Sequence, residues 1–226
     1  MKRDWADRRY RRLMLALPVV YFLFYLLCFV LLEEYVRPRY WISSQLDAYI
    51  PFCEWFILPY VAWFPLVPGL FLYFYRRDPE QYRYLCRAIL LGLTVCLAIY
   101  ALFPNGQLLR RAVPRDNLLC QLVTLLRRVD TPTNVCPSIH VFVSVTLAIA
   151  MARSPAMARH QRLRAALMIL CGLICLATMF LKQHSVIDVA CGGALSAVMD
   201  LLASPGRVSG MFQRLRRKKK KPVLES

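Results

Sequence analysis

Acidic residues are scarce in this chain, which has 13 aspartates and glutamates against 30 lysines and arginines and a formal net charge of +17. Such a basic excess is often found in proteins that bind nucleic acid. Here the basic residues are spread over the ends of long apolar runs, which leave no soluble domain to present them. We therefore exclude nucleic acid as a partner. We expect the charge to set membrane topology and to contact anionic lipids at the cytoplasmic face.

Paired cysteines are also missing from the sequence. The nine cysteines are an odd number and include no Cys-x-x-Cys pair, so the sequence favours neither a metal site nor a complete disulfide framework. Most of these side chains are expected to fill space within apolar helices. Cys53, Cys120 and Cys136 are placed on or near the outer side, where a disulfide can form in an oxidising compartment, but the sequence does not pair them. We expect no metal and no other cofactor.

Long apolar runs dominate what is present. Hydrophobic residues make up 58% of the chain, and charge-free stretches near the ~20 residues that a helix needs to cross a bilayer recur along it. The first run is too long for a signal peptide and lacks a small-residue cleavage site, so we expect an anchor helix there. The sequence predicts an all-α, polytopic membrane bundle of six transmembrane helices, at about 13–32, 55–75, 88–107, 139–152, 165–181 and 187–203.

The distribution of lysine and arginine predicts the orientation of this bundle. One membrane domain, residues 13–203, is expected between a basic N-terminal segment, 1–12, and a polybasic tail, 204–226. Most of the basic residues lie in these two segments and in the loops 76–87 and 153–164, which the positive-inside rule places in the cytoplasm. We therefore expect both termini on the cytoplasmic side of the cell membrane, with the opposite helix ends facing outward.

The segment 108–137 is the longest one without a strongly apolar run, and the predicted topology places it outside. Its leucines and valine between 118 and 126 recur at helical spacing, which predicts a short helix lying along the interface. Its basic residues run against the positive-inside trend. Because a guanidinium group binds phosphate through two parallel hydrogen bonds, they favour an anionic substrate, with a loop that binds lipid headgroups as the alternative. The five residues are Arg110, Arg111, Arg115, Arg127 and Arg128.

The first of two polar clusters, at 137–140, lies at the mouth of an apolar helix. A titratable side chain in such a segment costs ~2.5 kcal/mol or more, so it is normally retained for a function. Pro137 opens a helix whose first turn includes Ser138 and Ile139, and the backbone N–H groups of that turn form an expected phosphate cradle. His140 follows on the same turn, where it is placed to donate a proton to a leaving oxygen.

The second cluster contains His184 and Asp188, which are four residues apart and therefore share one helix face. The carboxylate can hold one imidazole nitrogen while the other points at substrate. Such an imidazole is a base or a nucleophile, and nucleophilic attack on phosphorus would give a phosphohistidine. Lys182 adds a cation nearby. Two other interpretations stay open: each histidine is a surface hydrogen-bonding group, or the histidines and the carboxylate hold zinc beside cationic neighbours.

The order of these motifs resembles a known family. An arginine-containing loop, Pro-Ser-x-His at 137–140 and His-x-x-x-Asp at 184–188 are similar to the three signature motifs of the type 2 phosphatidic acid phosphatase superfamily. The resemblance covers about residues 55–202. It implies a six-span membrane phosphoesterase in which His140 protonates the leaving group, His184 attacks phosphorus and Asp188 orients His184.

The chain departs from the family pattern in all three motifs. Ile139 stands where the family has glycine, and Thr178 stands where it has an arginine six residues before the nucleophilic histidine. If Arg110 is the arginine of the first motif, Phe103 replaces the motif's lysine and Arg111 its proline. The residues expected to bind the phosphate are Ser138, Ile139, Arg110 and Lys182, the last as a substitute for the missing arginine.

The expected function is that of an integral membrane lipid phosphate phosphatase, which hydrolyses a phosphomonoester or pyrophosphate of a lipid at the outer membrane face. In lacking the arginine of the third motif, the chain also resembles the branch that contains sphingomyelin and inositol phosphorylceramide synthases. A lipid phosphotransferase is therefore the alternative. A transporter or an inactive scaffold is a second alternative. The position of the titratable groups at helix ends disfavours a transporter, and the presence of His140, His184 and Asp188 disfavours a scaffold that has lost its chemistry. The lipid and the oligomeric state stay open.

Overall fold

The structure is a computed structural model that describes residues 8–204. Residues 205–226 of the predicted polybasic tail and residues 1–7 of the predicted basic N-terminal segment lie outside the described residues. The described part is mostly helical, which confirms the all-α prediction. Its α-helices are α1 (Arg8–Tyr35), α2 (Ile57–Arg77), α3 (Pro79–Leu102), α4 (Leu118–Val129), α5 (Ile139–Arg153), α6 (Pro155–Ala158), α7 (Gln161–Phe180) and α8 (Val186–Ala203). Two 3-10 helices, Gln45–Ala48 and Glu54–Phe56, and two short strands, β1 (Tyr40–Trp41) and β2 (Asn105–Gly106), complete it.

Within residues 8–204, five helices are long and apolar enough to cross a membrane: α1, α2 with the 3-10 turn before it, α3, α7 and α8. The remaining predicted span is α5, which is apolar but has only 15 residues. α3 begins at Pro79 and not near residue 88, because the Asp78 side chain accepts the backbone N–H of Gln81 and caps the helix. The first turns of α3 are too polar for a hydropathy pattern to mark them.

The core lies between α2, α3, α5, α7 and α8, and α5 contacts the other four. Thr146 of α5 and Ser196 of α8 share a hydrogen bond of 2.9 Å. Gly92 lets α3 approach the ring of Phe142, since a Cβ at Gly92 would lie 2.1 Å from that ring. α1 lies at the periphery of the bundle, and only 6% of its 18-residue apolar stretch is buried. The largest buried side chains are aromatic: Tyr60, Tyr82, Tyr100, Phe74 and Phe142.

We call the end of the bundle at which α2, α5 and α8 begin the loop end. There β1, which follows α1, pairs in parallel with β2, which follows α3. Gly106 of β2 also bridges to Thr133 before α5. The side chain of Asn105 donates to the carbonyl of Cys136 at 2.9 Å and accepts the N–H groups of Val135 and Cys136. These bonds tie three loops to the entry of α5.

The short helix predicted between 118 and 126 is α4. The side chain of Asn117 caps its start by accepting the N–H of Cys120 at 2.8 Å. On the buried side of α4, Val123 packs in a small cluster at the loop end against α2 and the end of α7. α4 therefore covers the loop end from one side. The other buried members of this cluster are Ile57, Tyr60, Ala177 and Leu181.

Candidate active site

The two histidine clusters, which are far apart in sequence, meet at the loop end. The backbone N–H of Ser138, the residue that caps α5, donates to the carbonyl of Asp188 in the first turn of α8 at 3.1 Å. The ring centroids of His140 and His184 are 6.0 Å apart. One phosphoryl group can therefore contact both imidazoles.

His184 is oriented by the buried carboxylate of Asp188. Nδ1 of His184 lies 3.3 Å from Oδ2 of Asp188, and the same oxygen accepts the N–H of Ser185 at 2.9 Å. Ser185 and Asp188 form a capping box, in which each side chain accepts the other's backbone N–H at the start of α8. An imidazole that donates through Nδ1 to a carboxylate presents a lone pair at Nε2. The pair has the geometry of an oriented nucleophile or base.

A tight turn after α7 fixes the position of His184. Lys182 adopts a left-handed conformation with φ 59°, the position that usually takes glycine at a helix end. The N–H of Gln183 donates to the carbonyl of Thr178 at 2.9 Å, and the N–H of Lys182 donates to Met179 at 3.0 Å. The carbonyl of Thr178 also accepts the N–H of His184 at 3.0 Å. Thr178, which is fully buried, thus supports the histidine through its backbone and supplies no charge.

The side chain of Lys182 holds a neighbouring loop. Its ammonium group donates to the carbonyls of Asp47 and Ile50 at 2.7 and 2.5 Å, and burial lowers the pKa of this lysine. The carboxylate of Asp47 in turn accepts the hydroxyl of Ser185 at 2.7 Å and the N–H of Val186 at 2.9 Å. The loop therefore docks against the start of α8. A role of Lys182 in binding phosphate stays a prediction.

The ring of His140 is packed against aromatic side chains of α2. The ring centroids of Tyr60 and Trp63 are each 4.6 Å from that of His140. The hydroxyl of Tyr60 donates to the carboxylate of Asp130 and lies 3.5 Å from Nδ1 of His140. Nε2 of His140 is buried and has no hydrogen-bond partner among the described residues. This nitrogen is therefore the one available to a bound substrate.

Arg110 is buried beside the same aspartate. Its guanidinium donates to the carbonyls of Asp130 and Thr131, and one of its nitrogens lies 3.7 Å from the Asp130 carboxylate. Burial lowers the pKa of Arg110, and the charge of Asp130 opposes that shift. Nε of Arg110 is buried without a partner in the described part of the chain. The side chain thus joins the loop before α5 to the Tyr60–His140 contact.

Arg127, at the end of α4, is a second cation at this end of the bundle and one of the five arginines that the sequence associated with an anionic substrate. It donates to the carbonyls of Arg111 and Leu181 at 2.7 and 3.2 Å, so it reaches the turn that carries His184. Burial lowers the pKa of Arg127, and the positive charge of Arg110 adds to this effect. Its Nε is also buried with no partner within residues 8–204. Two desolvated guanidinium groups therefore lie near one another at the loop end.

The start of α5 is closely packed against α8. The N–H of Ser138 donates to the carbonyl of Asp188, and the Oγ of Ser138 accepts the N–H of Val141 at 3.5 Å. Helix geometry leaves the N–H groups of Ile139 and His140 without acceptors inside α5. The close backbone approach is made at Gly192 of α8, where a Cβ would lie 2.6 Å from the carbonyl oxygen of Ser138.

Several residues that build the site were not found from the sequence. Asp47 follows Ser44 at capping-box spacing, which was a usable local signal. Tyr60, Asp130 and Gly192 gave none, because their partners lie far along the chain.

All nine cysteines, including Cys53, Cys120 and Cys136, lie within the described residues and are free. Within residues 8–204, no three His, Cys, Asp or Glu side chains are grouped so that they could hold a metal ion. Catalysis without a metal ion stays a prediction.

Comparison of the chain with protein-family models, with curated proteins and with solved structures gave no match. The family resemblance of the motifs therefore stays a prediction, and the chemistry of the site is argued from its geometry.

Proposed function

We propose that this chain is an integral membrane lipid phosphate phosphatase that works without a metal ion and forms a phosphohistidine on His184. The observation that carries the proposal is the pairing at the loop end: His184 rests on the buried carboxylate of Asp188, and His140 lies 6.0 Å away between ring centroids. A carboxylate-oriented imidazole facing a second imidazole supplies a nucleophile and a proton donor.

The reaction takes two steps. Nε2 of His184 attacks phosphorus, so a nitrogen–phosphorus bond forms as the bond from phosphorus to the lipid oxygen breaks. Protonated His140 gives its Nε2 proton to that oxygen, and Asp188 stabilises the positive charge on His184. Water then attacks phosphorus, its proton passes to His140, and the nitrogen–phosphorus bond breaks. Inorganic phosphate leaves, and both histidines return to their starting states.

We propose that the phosphate oxygens accept hydrogen bonds from N–H groups that have no other acceptor in the described part of the chain. The candidates are the backbone N–H groups of Ile139 and His140 in the first turn of α5, and the Nε–H groups of Arg110 and Arg127, whose other guanidinium nitrogens donate to backbone carbonyls. A helix N-terminus carries partial positive charge and is suited to an anion. Each guanidinium has a buried Nε with no partner within residues 8–204. An anion between them would offset the cost of burying both charges.

In the membrane, we propose six spans: the five long apolar helices and the shorter α5. Both termini are in the cytoplasm and the loop end is outside. At 1.5 Å per residue α5 is about 22 Å long, shorter than the ~30 Å hydrocarbon core. α3, α7 and α8 surround it, so its ends need not reach both interfaces. A cysteine introduced at Leu108, which is exposed two residues after Gly106, should react with an impermeant maleimide added outside cells, above the background of the unaltered chain. Labelling only from the cytoplasmic side would reverse this orientation.

A lipid phosphotransferase is the second candidate, favoured by Thr178. This residue is fully buried and uncharged where hydrolases of the resembled family place an arginine. The same histidines can pass the phosphoryl headgroup to a lipid hydroxyl instead of water. Only the acceptor in the second step differs.

Product analysis on purified protein tests these candidates. We would offer radiolabelled phosphatidic acid, an isoprenoid pyrophosphate and a sphingolipid phosphate, with and without a lipid alcohol, in the presence of a chelator. The matched variants are His184→Ala and His160→Ala. His160 is the one histidine of the chain outside the two clusters, and its side chain does not cap α7.

The outcomes separate the candidates. Phosphate release that His184→Ala abolishes and His160→Ala keeps supports the phosphatase. Product formed only with the lipid alcohol supports the transferase. Equal behaviour of all three proteins contradicts both and leaves a transporter or scaffold, and activity that requires added Zn²⁺ or Mg²⁺ contradicts the metal-free mechanism.

A further inference from the structure

A groove of about 320 Å³ lies between α5 and α7, on the part of the bundle that faces lipid in the proposed topology. We call it the α5–α7 groove. Its walls are apolar except for one hydroxyl, and several of them are small. They include Ser144, Ala148 and Ile149 of α5 and Met168, Gly172 and Cys175 of α7.

The groove begins close to the catalytic histidines and runs into the bilayer. Ser144 is four residues after His140 and lies one helical turn further along the same side of α5. The α5 wall extends over residues 144–152, which at 1.5 Å per residue is about 12 Å. On α7, Cys175 is the lining residue nearest to the loop end. A molecule in the groove would therefore have one end near His140.

The hydroxyl of Ser144 is the polar feature of the groove. Ser144 is fully buried, and its Oγ has no hydrogen-bond partner among the described residues. A serine inside a helix usually satisfies this group with the carbonyl four residues earlier. An unsatisfied hydroxyl at membrane depth is costly. A polar atom of a ligand, one helical turn below the site of phosphate transfer, would satisfy it.

We propose that the α5–α7 groove binds one hydrocarbon chain of the lipid phosphate substrate, with Ser144 hydrogen-bonded to the polar linkage between that chain and the phosphate. This inference rests on the proposed function and specifies its substrate as a lipid whose chain enters between α5 and α7. The length and apolar walls of the groove, and the position of Ser144 one helical turn from His140, favour a single extended chain. Bulk membrane lipid is the competing occupant.

Two exposed glycines provide a matched pair of variants. A Cβ at Gly172, in the wall of the groove, meets no heavy atom within 4 Å, and the same holds for Gly69 on α2, which does not line the groove. Gly172→Leu should therefore fill the groove without disturbing the fold. Gly69→Leu adds the same side chain elsewhere on the membrane surface.

Photolabelling in phosphatidylcholine liposomes tests the site directly. The probes are phosphatidic acid and diacylglycerol that carry the same diazirine-bearing chain. If the phosphate anchors the chain in the groove, the phosphatidic acid probe should label peptides of α5 and α7 at least about tenfold more strongly than the diacylglycerol probe. Gly172→Leu should lose this preference, and Gly69→Leu should keep it. Equal labelling by the two probes, or an unchanged preference in Gly172→Leu, would assign the groove to bulk lipid and overturn the proposal.

Kinetics separate this inference from the proposed function. On dioleoyl phosphatidic acid, kcat/KM should fall about tenfold in Gly172→Leu and, with one hydrogen bond lost, about fivefold in Ser144→Ala. On p-nitrophenyl phosphate, which has no chain, both variants should equal the wild type. An equal loss on both substrates would contradict the chain site. If the wild type turns over neither substrate and none of the lipid phosphates named for the product analysis, the catalytic proposal fails while the labelling result still decides the groove.

Discussion

One methyl group at position 192 should separate the two halves of the candidate site. In Gly192→Ala the new Cβ would lie 2.6 Å from the carbonyl oxygen of Ser138, 3.1 Å from Cβ of Val141 and 3.3 Å from the backbone nitrogen of Phe142. Two of these three neighbours are backbone atoms. No side-chain rotation can therefore relieve the contact, and α8 must move away from the start of α5.

The size of this movement follows from the distances. Ordinary contact begins at 3.4 Å, so the closest pair must open by about 0.8 Å. The same junction carries the 3.1 Å bond from Ser138 N–H to the Asp188 carbonyl, which would be stretched. Overpacking of this kind costs about 1–3 kcal/mol of stability. Because a misplacement near 1 Å costs about a hundredfold in rate, kcat for phosphate release should fall by about that factor.

Gly193→Ala is the matched control. A Cβ at Gly193 meets no heavy atom within 4 Å, and alanine favours a helix over glycine by up to about 1 kcal/mol. The measurements are the thermal unfolding of both variants in detergent at one scan rate, and their phosphate release. We expect Gly192→Ala to melt below the wild type and Gly193→Ala at or above it. If Gly192→Ala matches the control in both measurements, the close α5–α8 contact is not required and the reasoning is refuted.

Two further predictions concern groups that position the histidines. Tyr60→Phe removes the hydroxyl between Asp130 and Nδ1 of His140. Because proton transfer by a misoriented imidazole is slower, kcat for phosphate release should fall about tenfold with KM little changed. A kcat equal to that of the wild type would show that Tyr60 contributes packing and does not orient His140. Lys182→Met keeps a side chain in the left-handed conformation but loses both ammonium hydrogen bonds, and should lower the free energy of unfolding by about 1–3 kcal/mol. Lys182→Gly loses the same bonds but also relieves backbone strain of about 1 kcal/mol. It should therefore melt at a higher temperature than Lys182→Met. Melting temperatures in the reverse order would contradict the turn assigned to this lysine.

Local patterns predicted much of the fold. Each of the six apolar runs overlaps one α-helix, because hydrophobic length is a property of neighbouring residues. The apolar spacing between 118 and 126 predicted α4 for the same reason. The contact between His184 and Asp188 followed from their four-residue spacing. Boundaries were less accurate, as the start of α3 shows, because a polar first turn capped by Asp78 carries no hydropathy signal.

Contacts between distant segments could not be predicted in this way. Asp47 accepts hydrogen bonds from the start of α8, 138 and 139 residues later, and Tyr60 reaches His140 across 80 positions. Such pairs depend on which helices become neighbours, and a single sequence contains no spacing rule for that. The supporting residues of a site assembled from several helix ends are therefore harder to find than its histidines.

The positive charge of the site illustrates the same limit and bears on its chemistry. The sequence predicted phosphate binding by Arg110, as the arginine of the first motif, and by Lys182, as a substitute for the arginine missing at position 178. In the structure the ammonium of Lys182 is engaged by two carbonyls, while Arg127 lies near enough to Arg110 for their charges to repel. Burial lowers the pKa of both arginines, so each would gain from a nearby anion. The uncharged Thr178 therefore does not leave the loop end without positive charge, and two guanidinium groups from the segment before α5 support the proposed binding of phosphate.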